Sequence, residues 1–322
     1  MSQELWIRPA EAADLPEILN LMSLSLGSAI PRTRDFWSWK HEQNPFGPST
    51  VVLGFINETL VGLRAFMRWT WQAASVELAA MRAVDTATHP SFQGRGVFRR
   101  LTLQALSVAR RDGVRFVFNT PNHKSRPGYL KMGWSTAGRP MIWIRPISMR
   151  RDTIAEWDAP RASSVLAQDV DAGPRREHGN RDARLRTKQQ KGYLHWRYAR
   201  IPGITYHAFG DPREAFAIVR RKQTKGGWEL RICELWLGDA RQSNRWAEDL
   251  VRSMVSSCGC NYASCMAPLR TREAGVLLRC GFLPVPALGR VVTVHEVIPG
   301  REVLRPTRVS SYRFSIGDLE LF

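Results

Sequence analysis

The sequence predicts an α/β (α+β) protein: a mixed sheet with helices on its faces, built twice along the chain. Three observations predict it. Apolar periodicity gives the order strand, helix, several strands, helix, strand, short helix, strand over the first part of the chain. A glycine loop joins one of these strands directly to a helix. Two landmarks of the first half return, in the same order, in the second.

Residues 5–8 make a short opening strand. Asp14 is expected as a helix N-cap with Glu17 three residues on as its partner, and Leu15, Ile18, Leu19 and Met22 then form one buried face. Residues 51–56 and 60–63 read as a hairpin turning at Asn57-Glu58. Residues 76–88 form a long strand. Phe98, Leu101, Thr102, Ala105 and Ala109 line one face of a helix, and residues 114–118 and 141–144 are further strands.

Residues 1–147 are therefore expected as one domain. Segment 148–192, with Gly173-Pro174-Arg175-Arg176 and the charged run 180–191, reads as a linker or an exposed helix. A second domain is expected over 193–298, followed by a tail, 299–322, with the pattern of a returning strand. The repeat rests on two pairs of landmarks. Phe36-Trp37-Ser38-Trp39-Lys40 is echoed by Tyr193-Leu194-His195-Trp196-Arg197, with Pro45 and Pro202 each six residues after the second aromatic. Tyr129-Leu130-Lys131-Met132-Gly133-Trp134 is echoed by Leu277-Leu278-Arg279-Cys280-Gly281-Phe282.

Composition bounds the function. The 322 residues are 43% hydrophobic and 24% charged, the proportions of a soluble globular protein. The net charge of +18 favours anionic ligands. The arginines are scattered, however, and no zinc-finger, RNA-binding or long basic-helix pattern is present, so nucleic acid is not expected as a partner. No run approaches the roughly 20 apolar residues of a membrane span, and the N-terminus lacks the apolar core of a signal peptide. No membrane partner and a cytoplasmic location are expected. Cys233, Cys258, Cys260, Cys265 and Cys280 read as reduced, buried residues, and no metal site is expected.

The chemistry is expected at Gln93-Gly94-Arg95-Gly96, between a strand and a helix. Glycines let backbone N–H groups approach a phosphate, and the first turn of the helix offers free N–H groups and the positive end of its dipole. Arg95, Arg99 and Arg100 add charge there. Neither a Gly-Lys-Ser/Thr ending nor Gly-x-Gly-x-x-Gly is present, which excludes the common nucleotide loops.

These residues resemble the GNAT superfamily, the Gcn5-related N-acetyltransferases. Gln93-Gly94-Arg95-Gly96-Val97 fits the family's Arg/Gln-x-x-Gly-x-Gly/Ala signature after His89-Pro90, with Phe98 standing where Gly or Ala is usual. Asn122, Tyr129 and Gly133-Trp134 match the second signature, and Ile7-Arg8-Pro9-Ala10 with Asp14 matches the family's opening. The resemblance covers about residues 1–145. It implies two tandem GNAT-like domains, each a mixed, mostly antiparallel twisted sheet flanked by helices.

The resemblance also implies an acetyl-CoA-dependent N-acetyltransferase in which an amine attacks the thioester directly. Acetyl-CoA would be the co-substrate, held by Gln93, Gly94, Arg95, Gly96, Val97 and Phe98 at its pyrophosphate, by the backbone of Ala87 and Thr88 along its pantetheine, and by Asn122. Tyr129 would protonate the departing thiolate. Asp85 is the first candidate for the base. Glu77, His123 and the chain's terminal carboxylate, as in the enhanced-intracellular-survival branch, are others. The second repeat has Leu237-Gly238-Asp239-Ala240-Arg241-Gln242-Ser243-Asn244 at its loop and Leu277 at the tyrosine position, so one active site per chain is expected. Trp196, Tyr206 and Trp236 are candidates to line an acceptor pocket. The acceptor itself stays open among a small-molecule amine, an amino sugar and a protein amine. A longer acyl-CoA, another acyl donor, or a non-catalytic acyl-CoA sensor are the alternative readings.

Overall fold

The computed structural model describes residues 4–26, 32–147, 157, 160–162, 166, 183–239, 242–300 and 305–320. Most of the expected linker lies outside them. The first strand, β1 (Trp6–Pro9), leads through a 3-10 turn into α1 (Leu15–Leu26). Asp14 does not cap this helix as expected. It ends the preceding turn, where its carboxylate accepts the Glu11 N–H at 2.7 Å and pairs with Arg8 at 2.6 Å. The short helix α2 (Arg34–Trp37) runs into a π-helical turn, Ser38–Glu42. Then come β2 (Thr50–Ile56), β3 (Thr59–Ala73) and β4 (Val76–Thr88). The β2–β3 hairpin turns at Asn57 and Glu58, both at positive φ, as a two-residue turn between twisted strands requires.

After β4 come α3 (Val97–Arg111), β5 (Phe116–Asn119), α4 (Arg126–Lys131), β6 (Ser135–Gly138) and β7 (Ile142–Pro146). The later part holds β8 (Arg186–Thr187), a second π-helical turn (His195–Ala199), β9 (His207–Asp211), β10 (Ala215–Thr224) and β11 (Gly227–Leu237). It continues through α5 (Ser243–Ser257), β12 (Tyr262–Met266), α6 (Arg272–Arg279), β13 (Leu283–Val285), β14 (Val292–Glu296) and α7 (Ile316–Leu319).

Two mixed sheets result. One runs β1-β2-β3-β4-β5-β14-β6, with β8 also paired to β3; the other runs β13-β7-β12-β11-β10-β9. The order contains an exchange. Strand β7, from the end of the first repeat, sits between β12 and β13 of the second sheet. Strand β14, from the end of the second repeat, sits between β5 and β6 of the first. The sheets therefore do not divide where the sequence repeats divide, at 147 and 298.

The duplication is visible in detail. In β4 the register against β3 slips between Arg64 and Ala65, leaving Asp85 as the bulged residue. In β11 the register against β10 slips between Ile218 and Val219, leaving Cys233 as the bulge. The two π-helical turns meet face to face. Trp39 and Trp196 stack with centroids 5.2 Å apart, and each indole N–H donates to the other's carbonyl at 2.7 Å. The repeated aromatic landmark is thus a reciprocal contact between the two repeats. One core lies between the sheets; α3 and α4 cover the outer face of the first sheet, and α5 and α6 that of the second.

The tail does not return as a strand. It forms a 3-10 turn and the buried helix α7, because its apolar residues Phe314, Ile316 and Leu319 fill the core between the sheets. Two buried arginines hold its carbonyls: Arg82 bonds those of Asp318 and Leu319, and Arg197 those of Gly317 and Glu320. Burial pulls the Arg82 guanidinium down to about 9. The nearby Arg197 cation adds to the lowering and the Asp318 carboxylate opposes it.

Candidate active site

Strands β4 and β5 pair in parallel through Ala80–Phe116, Met81–Val117 and Arg82–Phe118 only. Beyond Arg82, β4 runs on to Thr88 without β5 beside it. A wedge opens there with backbone groups of β4 along one side. Ala87 is buried; Thr88 is half-buried, and its carbonyl accepts from Ser25 Oγ at 3.0 Å and from Gln93 Nε2 at 3.4 Å. Gln93 therefore folds back on the strand end that it follows.

Gly94 and Gly96 both sit at φ near +77 (76 and 77°), and a Cβ on either would meet nothing within 4 Å. The glycines are required by backbone conformation, not by crowding. Gly96 is the N-cap of α3 and has no side-chain cap, so the first-turn N–H groups of a 15-residue helix are left open beside Arg95. Val97 is buried against Gly62 of β3, where any Cβ would lie 2.5 Å from its methyl. Gly62 thus lets the start of α3 close onto the sheet. Gly96→Ala should cost about 1–2 kcal/mol in left-handed strain. We expect a matching fall in stability, as read by denaturant unfolding.

Phe98 departs from the expected signature for a visible reason. Its ring meets Tyr129 edge-on, centroids 5.3 Å apart, and lies 3.1 Å from where a Cβ of Gly128 would stand. It forms a wall for the tyrosine. Trp134 packs on another side of that ring at 5.1 Å, and Tyr129 is 4% exposed. No hydrogen bond to its hydroxyl is found among the described residues. Asn122 uses its Oδ1 to accept the N–H groups of Lys124 and Ser125, at 3.0 and 2.9 Å, and so shapes the turn before α4.

Asp85, the bulge residue, has φ +21°, a strained value inside a strand. Its carboxylate is held by two groups that the sequence did not point to. Lys40 Nζ lies 2.7 Å away and His41 Nε2 2.8 Å away, both buried in the π-helical turn. Lys40 and the His41 hydrogen bond overcome burial and keep Asp85 ionised well below the usual carboxylate range. Asp85 alone is consequently a weak proton acceptor. Burial lowers His41, so its imidazole is neutral when folded. An ionised carboxylate only accepts, which places the ring proton on Nε2 and leaves Nδ1 to accept from Ser49 Oγ at 3.0 Å. A small cavity beside this cluster is lined by Met22, Phe36, Trp37, Lys40, His41 and Asp85.

The signal for Lys40 and His41 was their place directly after the repeated Trp39. His41 also sets a pH dependence. An unfolded histidine takes up a proton below about 6.5 and the buried one resists it, so this contribution is present above pH 6.5 and lost as pH falls. We expect the melting temperature to drop between pH 7 and 5, and His41→Gln to flatten that drop.

The remaining sequence candidates lie elsewhere. Glu77 is exposed and paired with Lys188 at 2.8 Å, and His123 is exposed. The terminal residues 321 and 322 lie outside the described residues. Trp196 and Tyr206 are buried between the sheets rather than lining the Asp85 cavity. Trp236 stacks on Phe216 and lines a different cavity of ≈ 260 Å³, together with Gln72 of β3 and tail residues Arg313 and Ser315. The tail thus stands where the wedge between β11 and β12 opens. All five cysteines are buried and free. Among the described residues, no helix is long and apolar enough to cross a membrane.

A family model described as "Acetyltransferase (GNAT) domain" matches residues 6–137. No curated protein matches the sequence. Solved structures do. A GCN5-related N-acetyltransferase from Anabaena variabilis ATCC 29413 is 12% identical with a TM-score of 0.65, over 92% of this chain and 73% of that one. Eis1 from Mycobacterium abscessus is 10% identical with a TM-score of 0.58, over 91% and 74%. A tandem GNAT protein from the clavulanic acid biosynthesis pathway is 15% identical with a TM-score of 0.52, over 92% and 100%. At these identities the likeness is one of fold, and it extends across both repeats.

Proposed function

We propose, from the match of residues 6–137 to the GNAT domain model, that the chain is an acetyl-CoA-dependent N-acetyltransferase acting on a primary amine. The observation that carries this reading is the wedge after Arg82, flanked at one end by the open first turn of α3 and at the other by Tyr129. The wedge offers strand backbone to a pantetheine arm. Gln93 to Phe98 and Arg95 offer donors and charge to a pyrophosphate. Among the described residues of the second repeat nothing offers the same set, since its wedge is lined by its own tail and Leu277 stands at the tyrosine position.

In this reading the amine enters by the cavity at Asp85 and attacks the thioester carbonyl. A C–N bond forms and the C–S bond breaks, with the electron pair going to sulfur. Tyr129 gives its proton to that sulfur. The proton lost by the amine goes to His41 rather than to Asp85 alone. The imidazolium formed there lies 2.8 Å from the ionised Asp85, as a triad histidine lies against its aspartate. The acceptor is a small-molecule amine or an amino sugar. Apolar walls at Met22, Phe36 and Trp37 support a compact acceptor over an extended peptide.

Acetyl-CoA turnover with a panel of amines, read as free thiol, tests the proposal. Thiol release that depends on an amine supports it. Tight coenzyme A binding with no release for any acceptor would favour an acyl-CoA sensor instead.

A further inference from the structure

Arg64 lies in the middle of β3 and is 0% exposed. Its Nη1 donates to Thr86 Oγ1. Its Nε and Nη2 are buried with no hydrogen-bond partner among the described residues. Around it stand aromatic faces: its guanidinium carbon is 4.8 Å from the Phe66 centroid, 5.7 Å from Phe98 and 5.3 Å from Tyr129. Among the described residues no carboxylate is paired with it. A buried charge without a counter-ion is costly, and natural folds discard such groups unless something uses them.

The fold does not need this charge. Arg64 is the residue immediately before the register slip that makes Asp85 a bulge. The residue immediately before the matching slip in the second repeat is Ile218, also 0% exposed. The same position in the same architecture is filled by an aliphatic side chain in the repeat that carries Leu277 in place of Tyr129. Arginine and tyrosine are present together in one repeat and absent together from the other.

We propose that Arg64 is an electrostatic positioning residue for acyl transfer, a buried cation that balances the negative charge shared by the donor sulfur and Tyr129 as the thioester breaks. It acts through Tyr129, whose ring it faces, and through Thr86, which it holds at the mouth of the wedge. It adds no bond-making step. The electron pair still goes to sulfur and the proton still comes from Tyr129. This rests on the acyltransferase reading above.

The test compares Arg64→Met, Arg64→Lys and Arg64→Ala in the full chain. Arg64→Met should keep or raise the melting temperature, because an apolar side chain replaces an unpaired buried charge. It should also lower kcat about 10²-fold, the loss typical of removing one preorganised electrostatic partner, with the KM for acetyl-CoA nearly unchanged. Arg64→Lys should recover part of the rate, and guanidinium ion should restore part of it to Arg64→Ala. Unchanged kcat in Arg64→Met overturns the proposal. So does a fall in melting temperature with the rate lost in proportion to unfolded protein. Absence of amine-dependent turnover in the wild-type chain instead sinks the acyltransferase reading, and the melting temperatures then still report whether the charge serves the fold.

Discussion

Tyr129→Phe is expected to lower kcat by about 10²- to 10⁴-fold, the range for loss of a general acid, while the KM for acetyl-CoA stays nearly constant. The split follows from the geometry. The ring is fixed by Phe98, Trp134 and Arg64, and phenylalanine keeps each of those contacts. Only the hydroxyl is lost, and among the described residues no hydrogen bond is lost with it. Folding should therefore be unaffected. Steady-state thiol release and a melting curve on the same preparation check both halves. A variant with wild-type kcat would remove Tyr129 from the chemistry. The remaining source of the proton would then be solvent.

Lys40→Met is expected to destabilise the protein by about 3–5 kcal/mol at pH 8, the cost of leaving one member of a buried ion pair uncompensated. Both side chains are nearly enclosed, at 4% and 14% exposure, and Asp85 is already strained by its positive φ. The loss should shrink as the pH falls. His41 lies on the same carboxylate oxygen and can take up a proton to replace the missing cation. Denaturant unfolding at pH 8 and pH 5 would read this. A pH-independent loss would mean that His41 does not compensate. Adding Asp85→Asn to Lys40→Met should return much of the stability, since the pair is then removed rather than broken.

The repeat and the glycine loop were legible in the sequence because their signals are local. Glycines at 94 and 96 are needed for left-handed backbone within three residues of each other, and Tyr129 follows Asn122 on one short helix and its turn. Apolar periodicity likewise located β4 and α3, since each buries one face against its neighbours. The aromatic landmark at Trp39 and Trp196 marked the duplication, but not that the two tryptophans bond each other across 157 residues.

The tertiary structure alone decided the rest. The exchange of β7 and β14 between sheets is invisible to periodicity, since a buried strand looks the same whichever sheet pairs with it. The tail's alternation suggested a strand, yet Ser315 and Asp318 form a capping box and start a helix once Phe314 and Ile316 are anchored in the core. Asp85 read as a base from its place near the loop, and only the arrival of Lys40 and His41, 45 and 44 residues earlier in the chain, made it a fixed anion. Arg64, in the run Leu63-Arg64-Ala65-Phe66, was not singled out from the sequence. A sequence records which groups are charged. Only the fold determines which of those charges are left without water or a counter-ion, as it does for Arg64 among the described residues.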